Sequence, residues 1–165
     1  TNRLSRLNQS LILLAKIDNL QFKETEQVDI SFIIEHFINN YEELVLAKEI
    51  TLTKNIKPHV ILTMNETLAE ILIINLFTNA IKHNNRDGKI NIELAEKSLL
   101  VSNTGSAPKA DPSIYFERFK KDSDSGDSLG LGLSIVLKIC ETYKFDISYQ
   151  YEEKLHKMEI NFYPA

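Results

Sequence analysis

The chain has no tryptophan, two methionines and a single cysteine, Cys140. One thiol excludes an internal disulfide and fits a reducing, cytosolic setting. Four prolines and five glycines leave little room for a disordered linker, and no low-complexity tract or internal repeat is present. No apolar run approaches the roughly 18–20 residues that a bilayer-spanning helix needs. The longest, Leu11–Ala15 and Ile71–Phe77, are short and interrupted or flanked by polar groups. A basic excess is also missing: a net charge of −4 and a pI near 5.6 argue against a nucleic-acid binder. No signal peptide is visible in these residues, and there is no Walker A sequence and no strand-flanked GxGxxG. His36, His59, His83 and His156 are scattered, so no Cys–His metal spacing exists and no Ser-His-Asp set can be named. Asp122-Ser-Asp124-Ser-Gly126-Asp127 starts like a calcium loop, but its sixth position is Asp127 instead of Gly and its twelfth is Leu133 instead of Glu. The chain opens Thr-Asn, not Met, and so reads as an excised fragment whose upstream part could include a membrane segment.

What is present reads as one α/β domain with an appended helix. At 165 residues, 43% hydrophobic and 25% charged, the chain is long enough for a full core. Leu4, Leu7, Leu11 and Leu14 recur at helical spacing with Ile17 continuing the face. This seam suits a helix that packs on a partner helix, or an amphipathic helix folded onto the domain. A short strand is expected over residues 25–30. A helix capped by Ser31 should follow to about Ala47, with Ile34, Phe37, Ile38, Tyr41, Leu44 and Val45 inward. Strands are expected over 50–55 and 59–63, divided by a turn at Pro58. Asn65 is a suitable N-cap for a helix that ends near Asn84, before the Asp87-Gly88 turn. Residues 89–95 and 98–103 alternate as a hairpin. An irregular stretch of 104–128 has the length of a functional lid. A helix over 129–143, with Leu133, Val136, Leu137 and Cys140 as its core stripe, and a closing hairpin over 146–151 and 157–162 complete the chain. Helices interleaved with strands that end in hairpins indicate a two-layer α/β sandwich on a mixed sheet.

Within the helix that follows Asn65, Asn75, Asn79 and Lys82 fall on one narrow stripe at i, i+4 and i+7. A buried carboxamide without a partner costs about 1–3 kcal/mol, so two on one face imply something polar beside them. Two neutral oxygen ligands and a cation suit hydrated magnesium and the phosphates it accompanies. A structural pair satisfied by neighbouring backbone fits the same helix equally well. Asn103-Thr-Gly105 ends a strand where a side-chain amide can meet a base edge and glycine admits a close approach. Gly130-Leu131-Gly132-Leu-Ser134 opens a helix, whose free N–H groups form an anion site.

The order of these segments carries more than any one of them. Asn75-Leu-Phe-Thr-Asn79-Ala-Ile-Lys82-His83-Asn84, Asn103-Thr-Gly105, Phe116-Glu-Arg118-Phe119-Lys-Lys121 and Gly130-Leu-Gly132-Leu-Ser-Ile-Val resemble the N box, first glycine box, F box and second glycine box of the histidine-kinase catalytic domain. The resemblance covers about residues 24–165. It implies a sandwich of the GHKL ATP-binding type over 23–165, with an ATP lid at about 104–128. Residues 1–22 would be the end of a dimerisation and phosphoacceptor helix. It further implies ATP and Mg2+ as cofactors, with Asn79 as the metal ligand, Asn75 assisting and Lys82 approaching the phosphates. His83 would stand where tyrosine is common, Asn103 would meet the adenine amine, and Gly105 would lie beneath the base. Phe116 and Phe119 would anchor the lid, Lys121 would reach the γ-phosphate, and Gly130, Leu131 and Gly132 would line the phosphates. The implied partners are a response-regulator receiver domain and a second copy of the chain through the N-terminal hairpin. Neither nucleic acid nor membrane contact is implied for this fragment, which would be the cytoplasmic domain of a membrane-bound sensor.

Three positions depart from that pattern. The adenine-contacting residue is usually Asp; Asn103 keeps an acceptor but loses the charge, a difference of order 1 kcal/mol or roughly fivefold in affinity. Its NH2 could also donate to guanine, so weaker discrimination between the bases is expected. Ser128 replaces a glycine of the second glycine box, which would stiffen the lid hinge. Asn75 stands where related hydrolytic ATPases of the superfamily carry a glutamate, and a carboxamide cannot act as a general base. The site should therefore hold ATP without efficient hydrolysis and pass phosphate to a nucleophile. None of the four histidines lies in an acceptor context, so the acceptor is expected upstream and the chain alone should bind nucleotide without phosphorylating itself. A serine protein kinase of the same superfamily and a degenerate nucleotide-binding or dimerisation module are the alternatives. Asn75 speaks against the first; the retained Asn79, Lys82, Gly105, Gly130 and Gly132 speak against the second.

Overall fold

The computed structural model describes residues 2–109 and 129–163. The elements are α1 (Asn2–Asp18), β1 (Glu26–Asp29), α2 (Ile30–Asn40), α3 (Glu42–Ala47), β2 (Thr51–Ile56), β3 (Ile61–Met64), α4 (Glu66–Lys82), β4 (Lys89–Leu94), β5 (Ser98–Thr104), α5 (Leu129–Tyr143), β6 (Asp146–Glu152) and β7 (Leu155–Asn161). A five-stranded sheet has the order β2-β4-β5-β7-β6. Only β2 and β4 are parallel; the other pairs are antiparallel. A parallel pair needs a long crossover, and β3 with α4 supplies it. This is the mixed-sheet α/β sandwich that the alternation of elements predicts.

Strict alternation puts one face of the sheet against the helices. Ile90, Ile92 and Leu94 of β4, Leu99 and Val101 of β5, and Met158 and Ile160 of β7 are buried there. Helix α4 meets them with Leu68, Ala69, Leu72, Ile73, Leu76, Phe77, Ala80 and Ile81, and α2 adds Ile33, Ile34 and Ile38. Asn65 caps α4 as expected: its side chain accepts from the Leu68 N–H at 3.1 Å, and its own N–H donates to the Tyr143 hydroxyl at 2.9 Å. The second bond ties the start of α4 to the end of α5.

Several local expectations are corrected. Asp29, not Ser31, caps α2, accepting from Phe32 N–H at 3.1 Å. Ser31 lies inside the first turn and is buried, where its Oγ donates to the Lys57 carbonyl and accepts from the Val60 N–H. The helix expected to run to Ala47 breaks at Tyr41, whose ring packs edge-on against Phe77 at 5.8 Å. Leu44, expected inward, is exposed. The two strands expected on either side of Pro58 do form, and the second, β3, pairs with β1 in a separate two-stranded sheet. On α5 the fully buried row is Ile135, Val136, Ile139 and Cys140, with Leu133 and Leu137 only half-buried. Both rows satisfy helical spacing, and packing selects between them.

Only the end of α1 docks. Ile17 is buried, Leu13 and Leu14 pack at the edge of the core, and Asp18 pairs with Lys138 of α5 at 2.5 Å. Leu4 is 73% exposed, and Leu7, Leu11 and Ile12 are also open. The seam thus divides: its last turns cover the domain and its earlier leucines do not. Among the described residues, no helix is long and apolar enough to cross a membrane.

The Ser31 arrangement predicts a measurable cost. Ser31→Ala leaves a buried N–H and a carbonyl without their partner and should lower unfolding free energy by about 1–3 kcal/mol. Asp29→Ala, which removes the exposed cap, should cost about 0.5–2 kcal/mol. Urea unfolding of the two variants checks both values; an unaffected Ser31→Ala would contradict the bridging role.

Candidate functional site

Residues in register on neighbouring strands point to the same face, so the helix-covered face can be read in rows. Leu99, Ile160 and Ile147 form one row, and Val101, Met158 and Tyr149 the next. The following row is Asn103, His156 and Tyr151, with Ile90 beside Asn103. The core face turns polar at this end. Asn103 is 7% exposed, and its Nδ2 donates to the Thr104 carbonyl at 2.9 Å. That bond fixes the orientation of the amide and leaves Oδ1 without a hydrogen bond among the described residues.

The exit from β5 is held from both sides. Thr104 Oγ1 donates to Asn84 Oδ1 at 2.6 Å and accepts from the Lys89 N–H at 2.8 Å, while Asn84 Nδ2 donates to the Lys89 carbonyl at 3.0 Å. A Cβ on Gly88 would fall 1.9 Å from Asn84 Oδ1, so this network requires glycine there. Gly105 is equally confined: a Cβ would lie 2.6 Å from the His83 carbonyl oxygen and 2.8 Å from the His156 ring. The end of α4 and the end of β5 are thus in contact. His156 Nε2–H donates to the Ser106 carbonyl at 2.8 Å, and its Nδ1 bonds the Tyr149 hydroxyl. The Tyr151 hydroxyl donates to the Gly105 carbonyl at 3.2 Å.

On α4 the two asparagines differ. Asn75 is half-buried and its Nδ2 donates to the Ile71 carbonyl at 2.7 Å, satisfied by its own helix. Its Oδ1 lies 3.1 Å from where a Gly132 Cβ would stand, so α5 approaches α4 closely at this glycine. Asn79 is half-buried, and its carboxamide has no hydrogen bond among the described residues. Lys82 is exposed on the last turn, and His83 caps the helix with its N–H on the Asn79 carbonyl at 3.0 Å. Gly132 and the half-buried Leu131 sit in the first turn of α5, where backbone N–H groups have no partner within the helix. Gly130 begins the same turn. Phe116, Phe119 and Lys121, with most of the expected lid, lie outside the described residues. Asn75 thus faces Gly132 across the interface of α4 with α5, and the end of the same helix meets the exit from β5 at His83 and Gly105.

Sequence reading missed Thr104, Asn84 and Gly88 as the clasp beneath this end of the sheet, and passed over His156 as one of four scattered histidines. A signal existed for the latter. His156, Met158, Ile160 and Phe162 alternate along β7, and the first of them breaks an otherwise apolar inward row. Among the described residues, no group of three His, Cys, Asp or Glu side chains could hold a metal ion.

The two histidines flanking Gly105 resist protonation. Burial lowers the His83 pKa, assisted by Lys82, His156 and Lys48, and burial lowers that of His156 against the raising effect of the Ser106 carbonyl. His83 Nε2 is buried with no hydrogen-bond partner among the described residues. Above pH 6.5 both imidazoles are neutral in folded and unfolded chains alike and nothing is lost. As pH falls below about 6.5, the unfolded chain binds protons that the folded chain refuses, so stability declines until the lowered folded pKa values are reached. Melting temperature followed from pH 7.5 to 5 should show this acid loss, and His156→Gln should make it shallower. An identical slope in that variant would remove His156 from the explanation.

Residues 64–163 match the family model described as "Histidine kinase-, DNA gyrase B-, and HSP90-like ATPase". The heme sensor protein HssS of Staphylococcus saprophyticus is 31% identical over 166 residues, covering 93% of this chain and 34% of that protein. The chain thus spans about a third of the length of the curated relatives it matches. The catalytic domain of histidine kinase ThkA aligns with a TM-score of 0.65 at 25% identity, covering 86% of this chain and 99% of that one. ThkA in complex with response regulator protein TrrA aligns with a TM-score of 0.68 at 23% identity, covering 99% of this chain and 49% of that one. The matched residues contain α4, the polar end of β5 and α5, the three elements that meet at the site. On this evidence the chain belongs to the histidine kinase-, DNA gyrase B- and HSP90-like ATPase family.

Proposed function

We propose that this chain is the ATP-binding catalytic domain of a two-component sensor histidine kinase, transferring the γ-phosphoryl group of ATP to a histidine outside the 165 residues. The observation that carries the reading is Asn75. Its carboxamide is engaged by the Ile71 carbonyl and faces Gly132 at the start of α5. An amide cannot take a proton from water, so this position gives no general base for hydrolysis. The arrangement favours retention of ATP until an external nucleophile arrives.

The residues fit the groups that this reading requires. Asn79 is half-buried and its carboxamide makes no bond among the described residues, which suits Oδ1 to hold magnesium, with Asn75 assisting. Among the described residues no acidic or histidine cluster accompanies it, and phosphate oxygens and water would supply further ligands. Bound magnesium would neutralise charge on the transferred phosphoryl, the main requirement of phosphoryl transfer. Lys82 adds a cation beside the phosphates, Lys121 adds another from the lid, and Gly130, Leu131 and Gly132 offer helix-start N–H groups. Phe116 and Phe119 would anchor the lid. Asn103 accepts from the adenine amine through Oδ1, the atom that the bond to Thr104 leaves available, with Gly105 beneath the base and His83 beside it.

A response-regulator receiver domain is the proposed partner, consistent with the complex formed by ThkA. The exposed Leu4, Leu7 and Leu11 support pairing of α1 with further helices in a homodimer. The proposed setting is the cytoplasmic side of a membrane-bound sensor.

In a longer form that includes the upstream acceptor, labelled ATP with magnesium should give an acid-labile, base-stable phosphoprotein. Asn79→Ala should abolish it, and label persisting in that variant would contradict the metal-ligand role. Base choice tests Asn103. Asn103→Asp restores a charged acceptor and should raise the ratio of ATP to GTP affinity roughly fivefold, the worth of about 1 kcal/mol. Loss of the Thr104 bond affects both nucleotides equally and cancels in the ratio. An unchanged ratio would show that Asn103 does not touch the base.

A further inference from the structure

The clearest chemistry left unassigned is the hydrogen-bonded cluster of Tyr149, Tyr151 and His156 beneath the exit from β5. Nothing about the core demands it. His156 occupies the inward row continued by Met158, Ile160 and Phe162, where an aliphatic side chain would pack without burying polar atoms. Its two ring nitrogens are instead both engaged. Nε2 lies 2.8 Å from the Ser106 carbonyl, which can only accept, so Nε2 carries the proton. Neutral imidazole then leaves Nδ1 as an acceptor, and the Tyr149 hydroxyl donates to it. The Tyr151 ring packs against the imidazole at 4.7 Å while its hydroxyl reaches the Gly105 carbonyl. Two successive carbonyls, of Gly105 and Ser106, are therefore drawn to the same side by side chains of β6 and β7.

We propose that His156, held as its Nε2–H tautomer by Tyr149 and assisted by Tyr151, is a positioning residue that sets the Gly105–Ser106 backbone for the nucleotide base. The inference deepens the proposed function and rests on the reading that Asn103 and Gly105 meet the base. Gly105 has no side chain with which to anchor itself, and the space a Cβ would need is already taken by the His83 carbonyl and the His156 ring. With both carbonyls turned toward His156 and Tyr151, the trans peptide directs the Ser106 and Ala107 N–H groups away from them. The tautomer of one imidazole thus decides which face of this turn donates and which accepts. With Nδ1 protonated instead, the Nε2 lone pair would oppose the Ser106 carbonyl, and the turn would have to move. His156 also pairs in register with Asn103 on β5, so the two are adjacent on one face and any shift of the ring is felt at the base-reading amide. Among the described residues, the titratable groups shown beside it are Tyr149, Tyr151 and, at the end of α4, His83.

The test is calorimetric nucleotide binding to the whole chain and three variants. His156→Leu keeps bulk and removes both bonds, and it should weaken ATP binding roughly tenfold. His156→Gln, whose amide donor has about the reach of Nε2, should restore most of that loss; a residue needed only for packing would not distinguish Leu from Gln in this direction. Tyr151→Phe, which deletes one hydroxyl, should weaken binding about two- to fivefold. Affinity for inorganic triphosphate should be the same in all four proteins, because the phosphate side is not altered. Nitrogen-15 NMR of the unaltered chain should show His156 protonated at Nε2 and unprotonated at Nδ1, a result that does not depend on any variant folding. Equal ATP affinity in His156→Leu, a Gln variant as weak as the Leu variant, a parallel fall in triphosphate binding, or an Nδ1–H tautomer would each overturn the proposal. Failure of the unaltered chain to bind ATP at all would instead overturn the functional reading, and the positioning role with it.

Discussion

Everything at the site depends on how closely α4 and α5 can pack. The helices run antiparallel, fastened at one end by the Asn65 N–H on the Tyr143 hydroxyl and meeting at the other where Asn75 faces Gly132. Their shared interface also closes the core over the sheet, since Leu68, Leu72 and Leu76 of α4 and Ile135 and Ile139 of α5 are buried together. A side chain at residue 132 would put a Cβ 3.1 Å from Asn75 Oδ1, tighter than ordinary contact, so Asn75 or the helix would have to give. Glycine at this point brings the unpaired N–H groups of one helix start against the carboxamide of another. Apolar burial supplies the holding force, and the polar groups are carried to the meeting point by it.

The fold was largely legible because its main signals are periodic. Alternation in β4, β5, β6 and β7 and the Asn65 cap of α4 are each written in a few adjacent residues. What was not legible depends on contacts between distant segments. The Ser31 hydroxyl serves Lys57 and Val60, which no local rule connects to it, while Asp29 took the cap. The helix expected to run on breaks at Tyr41, which meets Phe77, and the pairing of β3 with β1 joins segments more than thirty residues apart. The buried row of α5 differs from the expected one by a small rotation that a helical repeat cannot resolve. Of the site, the stripe on α4 and the glycines were readable from residue type and order. The supports were not: Thr104, Asn84 and Gly88 gain meaning only when the end of β5 lies against the turn after α4.

The polar end of the sheet is lined mainly by groups that carry no charge. Its groups are carboxamides, hydroxyls, backbone and imidazoles whose burial favours the neutral form. Cys140, buried in α5 with its thiol pushed up to about 12, is likewise kept as packing material and not as a nucleophile.

The pairing of Asp18 with Lys138 has a mechanical meaning. Lys138 is six residues along α5 from Gly132, roughly 9 Å on a helix that rises about 1.5 Å per residue. One short rod therefore has the close-packing glycine near its beginning and the end of α1 clamped to its middle, with Ile17 wedged beside the clamp. A rod of this length transmits displacement without bending appreciably. Torque applied to α1 must either carry the glycine end of α5 with it or first break the clamp, so the leucine-faced helix acts as a handle on the domain.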